Sequence, residues 1–137
     1  MIFRNKILIF TLVSVIIVAA IVAYYGMKKF VVYTDFDTTL ILFKDIRMYS
    51  AEHGGTLPSD WGEFVSWHDK RKLSMRWNKE DLDRRFTLKW GMRIENIKDD
   101  SIIFEVHDPV LGKYSKSLNK TFVKRLLGTR TNTNNPR

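Results

Sequence analysis

The chain opens on an apolar run from Ile7 to Tyr25, broken only by Thr11 and Ser14 and flanked by Arg4 and Lys6 on one side and Lys28 and Lys29 on the other. At about 1.5 Å per residue, a helix of that length spans roughly the 30 Å of a bilayer's hydrocarbon. A cleaved secretory signal has the same order of charges, but its apolar region usually stops at about 7 to 15 residues and a small-x-small site. Here the run ends on Tyr24 and Tyr25, suited to an interfacial belt, and then on lysines suited to head groups. The pattern predicts a retained anchor, with Ile7, Phe10, Thr11, Leu12, Ser14, Ile17, Ile21, Tyr24 and Tyr25 among the residues that meet the membrane. Basic residues stand at both ends, so the positive-inside bias is small; the N-terminus is read as inside and the bulk of the chain as outside.

Beyond the anchor the apolar period changes several times. Phe30 to Tyr33 is a β-branched and aromatic patch, and Thr34-Asp35-Phe36-Asp37-Thr38 offers N-cap residues and first-turn acids. A helix from about Asp37 to His53 puts Leu42, Ile46 and Tyr49 on one stripe, with Phe43 beside it and Lys44, Arg47 and Ser50 off it, and Gly54-Gly55 ends it. Thr56-Leu57-Pro58 is extended, and Ser59 or Asp60 caps a short helix through Trp61, Phe64 and Val65, with Glu63 at capping-box spacing. His68 to Lys72 is solvated, and Asn78 to Leu82 is either a helical turn or a loop. The period then falls to two. Phe86 to Trp90 alternates as a half-buried strand, continued past Gly91 by Met92 to Glu95, and Ser101 to His107 and Tyr114 to Leu118 complete an antiparallel meander. Asn119 caps a last helix, Lys120 to Leu127, which Gly128 ends.

The fold class expected is therefore α+β: an N-terminal transmembrane helix, an amphipathic helix packed on a small antiparallel β-sheet, and a C-terminal helix. Residues 1–29 are the basic leader and anchor, 30–128 one small soluble domain, and 129–137 a flexible polar tail rich in Thr and Asn. Four Trp, five Tyr and nine Phe supply a packed core.

With no cysteine, disulfides, thiolate metal sites and a cysteine nucleophile are all excluded. The histidines His53, His68 and His107 fall in different elements and lack zinc-motif spacing, and no phosphate-loop or nucleophile-elbow pattern occurs. No catalytic residue, metal ligand, cofactor or small-molecule substrate is indicated, and the chain is not read as an enzyme. A formal net charge of +8 favours anionic surfaces in general. The mixture of Lys70, Arg71, Lys72, Arg76, Trp77, Arg84 and Arg85 is the candidate face for an anionic ligand, since cations neutralise phosphates and indoles stack or sit at interfaces. Simple solubilising charge is the plainest account of it. Among ligands, anionic lipid or acidic protein ranks above single-stranded nucleic acid. A second cluster, Lys113, Lys116, Lys120, Lys124 and Arg125, reads as a solvated face.

Two stretches carry a further signal. Phe10-Thr11-Leu12-Val13-Ser14 runs into an apolar helix behind the short basic leader Met1 to Ile9. Tyr49 to Phe64 sets a Tyr, polar residues, Gly54-Gly55 and Pro58 before a capped segment. Both resemble type IV pilins and type II secretion pseudopilins, in which a basic leader precedes Phe-Thr-Leu-x-Glu and the long helix ends in a Gly and Pro turn ahead of antiparallel strands. The resemblance implies a pilin-like fold, a bacterial inner-membrane location with the C-terminal domain extracytoplasmic, and work as a structural or interaction protein of a type II secretion or type IV pilus apparatus. Its partners would be the membrane and the helices of other membrane-anchored proteins. Two positions depart from the family: Ile9 stands where the leader peptidase needs a small residue, normally Gly, and Ser14 stands where the family's Glu pairs with a neighbouring subunit's amine. The resemblance thus implies an uncleaved chain that does not enter a filament in the usual way. The alternative is a membrane-tethered binding module that uses the basic face.

Overall fold

The first helix, α1 (Ile2–Glu52), runs without interruption through the place where the sequence suggests a boundary. A computed structural model describes residues 2–128, and side chains from residue 9 onward. Residues 30–38 contain neither Gly nor Pro, so nothing in them forces a break. The cap candidate Thr34 turns its hydroxyl back along its own helix and donates to the Phe30 carbonyl at 2.8 Å, which removes it as an N-cap. The expected helix start at Asp37 is corrected accordingly. Two compact units divide between Asp35 and Phe36. The expected polar tail, 129–137, lies outside the described residues.

In the second unit the elements after α1 are α2 (Trp61–Lys70), α3 (Lys79–Arg85), β1 (Phe86–Leu88), a 3-10 turn (Ile94–Asn96), β2 (Phe104–Val106), a 3-10 turn (Gly112–Tyr114) and α4 (Ser115–Leu127). Together with the long apolar N-terminal helix they make an α+β chain with a two-stranded antiparallel sheet. The strands pair Phe86 with Val106, Thr87 with Glu105 and Leu88 with Phe104. Their alternation buries Phe86, Leu88, Phe104 and Val106 and exposes Thr87 and Glu105, as a one-sided sheet requires.

A two-stranded ribbon is not stable by itself, and helices cover its apolar face. Phe43, fully buried on the α1 stripe, meets Phe104 edge-on at 4.8 Å and Phe122 of α4 at 4.7 Å. Phe86 stacks on Phe104 at 5.0 Å and touches Trp77 at 5.1 Å. Leu42, Ile46 and Tyr49 are buried beside Phe43, as the stripe read from the sequence requires, but Ser50, expected off that stripe, is fully buried as well.

The third strand expected over Tyr114–Leu118 does not form; the 3-10 turn and the start of α4 occupy it. Two α4 side chains, four residues apart on one face, do the hydrogen bonding that a strand would have done. Asn119 Oδ1 accepts from the amides of Ile103 at 2.8 Å and Phe104 at 2.9 Å, and its Nδ2 donates to the Ser101 carbonyl at 2.9 Å. Ser115 Oγ accepts from the Val106 amide at 3.0 Å. Asn119 is therefore inside α4 and seals the β2 edge, where the sequence suggested a helix cap.

The first strand is also shorter than the alternation suggested. Gly91 adopts φ +62°, in the left-handed region, and turns the chain away from the sheet. Residues 91–94 then pair with residues 55–58: Leu57 donates to the Met92 carbonyl at 2.9 Å and Ile94 to the Gly55 carbonyl at 2.8 Å. This ties the turn after α1 to the end of the β1 segment. The segment left open between helix and loop is α3, whose N-cap Asn78 accepts from the Asp81 amide at 2.8 Å.

Candidate functional site

In the first unit, residues 9–31 of α1 are all exposed, including Phe10 at 76% and Leu12 at 59%. An exposed apolar surface of this size calls for lipid or a partner helix, and α1 is long and apolar enough to cross a membrane. Leu12, Ile17 and Ile21 extend freely, and Tyr24 and Tyr25 meet edge-on at 5.8 Å. Ser14 Oγ donates to the Phe10 carbonyl at 2.9 Å, so its hydroxyl is satisfied within the helix. Along one face Thr11, Ser14, Val15, Val18, Ala19, Val22 and Ala23 line a shallow groove. Small residues in that arrangement let a second backbone approach closely. Ile7 belongs to α1, but its side chain lies outside the described residues.

Not all of the basic and aromatic residues singled out in the sequence face solvent. Trp77 is buried at 5% exposure, packed on Phe86 and covered by the Arg85 guanidinium 5.2 Å from its ring centre. Arg85 Nη1 donates to Asp108 Oδ2 at 2.6 Å, and the same carboxylate's Oδ1 accepts from the amides of Val110 and Leu111. These two residues hold the fold together and are withdrawn from the candidate face, because an indole buried under a paired guanidinium cannot stack on a ligand. Arg71 pairs with Glu52 and lies 5.0 Å from the Trp67 ring centre. Arg84 pairs with Asp81 at 3.0 Å. Lys70, Lys72 and Arg76 are exposed, with Lys72 at φ +55° in the turn after α2.

Where α1 meets α2, three polar contacts join the two helices. Asp60 caps α2 by accepting from the Glu63 amide at 2.8 Å. The Glu63 carboxylate accepts from the Ser59 amide at 2.7 Å, from the Ser59 hydroxyl at 2.5 Å and from the Tyr49 hydroxyl of α1. The capping-box spacing read from the sequence is thus present, with its acid reaching one residue further back than usual. The Ser59 hydroxyl, and next the Tyr49 phenol, hold the Glu63 carboxyl down at about 2. Trp67 Nε1 donates to Glu52 at 3.0 Å. His68, expected in a solvated segment, is instead fully buried within α2, 3.2 Å from Asp45.

The other histidines are apart from it. His53 stacks on Tyr49 at 3.8 Å, and His107 lies 2.7 Å from the Thr87 hydroxyl. Among the described residues no group of three His, Cys, Asp or Glu side chains could hold a metal ion.

Searches against protein-family models, curated proteins and solved structures return no match to this chain.

One juxtaposition was not legible in the sequence. Lys44 and Arg47, off the core stripe of α1, line a groove with Leu40, Ile41 and Arg125 of α4. The sequence places Arg125 in a solvated lysine row, and no spacing connects it to a helix so far upstream.

Proposed function

We propose that this chain is a single-pass membrane protein of pilin-like design. It acts by interaction, as an accessory of a type II secretion or type IV pilus apparatus, with its anchor against the helices of other membrane-anchored proteins. The observation that carries the reading is α1 itself. One helix bears an exposed apolar segment and, further on, the stripe Leu42, Phe43, Ile46 and Tyr49 that the aromatic core of the second unit buries. It then ends in Gly54 and Gly55, both at positive φ, ahead of Pro58 and the capped α2. A bundle of small residues on the anchor face, from Thr11 to Ala23, supports helix-to-helix contact. The self-satisfied Ser14 hydroxyl offers a neighbour no charge, in keeping with a chain that stays outside a filament's usual register.

The test is photo-crosslinking in native membranes from two anchor positions, Val18 in the small-residue groove and Ile16 on the opposite side. Adducts with another membrane-anchored protein are expected from Val18 and not from Ile16. Recovery of lipid alone from both positions would sink the proposal.

A further inference from the structure

Lys44 and Arg47 lie one turn apart on α1, and Arg125 comes from the last turn of α4. With Leu40 and Ile41 they line a groove of roughly 380 Å³. Arg125 is half-buried, and its Nη1 donates to the Leu40 carbonyl at 3.1 Å, which holds the guanidinium at the groove. One of its five donors is used there, and the planar fork remains pre-organised. Among the described residues no carboxylate pairs with any of the three cations. Arg71, Lys79, Arg84, Arg85 and Arg93 each have such a partner. The acids closest along α1 do not compensate: Asp45 is buried and engaged with His68, and Asp37 stands about two turns before Lys44.

Three cations lining one groove from two helices raise a positive potential there, and that potential favours an anion. We propose that this groove is a binding site for a phosphate group. Two guanidiniums present forked donors that match phosphate oxygens, and the Lys44 ammonium adds a point charge. The volume falls within the range of small-ligand sites, about 300 to 1,000 Å³, and suits one compact anion better than an extended peptide. Ile41, 55% exposed, and the half-buried Leu40 give the site an apolar rim for the carbon portion of a phosphate ester. The phosphate could belong to a soluble ester or to a lipid head group; the chemistry recognised is the same. The proposal does not depend on the pilin-like reading.

It is tested on the full chain, labelled with ¹⁵N-arginine and held in phosphatidylcholine nanodiscs. Glycerol phosphate, dihexanoyl phosphatidylglycerol and hexaglutamate are titrated separately while the arginine Nε–H resonances are followed. Saturable shifts at Arg47 and Arg125 are expected with a phosphate probe, weakened about 30-fold or more in K44E/R47E. Both side chains are off the core, so that variant should fold. R47K, which keeps the charge and loses the fork, should bind about 3- to 10-fold more weakly than the parent chain. Response to both phosphate probes supports a soluble ester, and response to the lipid alone supports a head group. Absence of saturation, unchanged binding in both variants, or a response confined to hexaglutamate would overturn the proposal.

Discussion

Asn119 closes three backbone hydrogen bonds with one side-chain amide. In Asn119→Ala two strand amides and a carbonyl lose their partner, and a loss of about 2 to 4 kcal/mol is expected in urea unfolding. Asn119→Asp keeps an acceptor for the two amides but sets a carboxylate oxygen against the Ser101 carbonyl, so it should recover only part of that loss. The sequence could not show this role. Asn ahead of Phe122, Val123, Leu126 and Leu127 reads the same whether it caps a helix or sits inside one, and only the position of β2 decides. Asp60 was legible as a cap candidate because a cap needs only its own next three residues, whereas Asn78 caps α3 in a stretch the sequence left open between a helical turn and a loop. Glu63 gives a pH effect of defined sign. Its folded pKa of about 2 lies below its ordinary 4.5, so its contribution is fully present above pH 4.5 and is lost as the pH falls towards 2. The side chain is largely exposed, and solvent screening keeps the effect small. The urea midpoint of the parent chain should therefore fall more steeply between pH 4.5 and 2 than that of Glu63→Gln.

At the scale of elements, α1 is where sequence and structure agree on packing and differ on extent. The stripe Leu42, Ile46 and Tyr49 was readable because an amphipathic face repeats along the chain. The false start at Asp37 came from weighing Thr34 and the nearby acids as caps when no residue there opposes helix. Amide hydrogen exchange discriminates the two: residues 34–37 should be protected as helix interior, and rapid exchange there would restore the boundary. Phe43→Ala, which empties the contact between Phe104 and Phe122, should cost about 3 to 5 kcal/mol in chemical unfolding. The strands were harder to bound. Alternation continued through Met92 to Glu95 in the sequence, but the left-handed Gly91 hands those residues to a different partner, the turn at 55–58.

For the whole molecule, the sequence made the α+β class, the long apolar helix and the packing of a helix on an antiparallel pair legible through periodicity, and it hid which charged and polar side chains meet across the fold. The basic face over Lys70 to Arg85 was inferred from neighbours in sequence, yet Trp77 and Arg85 turn inward while Lys44, Arg47 and Arg125 gather from opposite ends of the domain. If α1 is the anchor proposed above, the side on which the second unit lies is open to direct measurement, because the chain has no cysteine. A single Asp100→Cys, on an exposed turn, should react with a membrane-impermeant maleimide in intact spheroplasts if the second unit is extracytoplasmic. Protection until lysis would place that unit inside. The way α4 closes the sheet carries a cost of its own. A strand would seal its neighbour along its whole length, whereas Ser115 and Asn119 are two latches at the start of one helix. Fraying of its first two turns bares the amides of Ile103, Phe104 and Val106 between apolar side chains, so templated aggregation of the second unit should begin at β2 and should be hastened by whatever loosens α4.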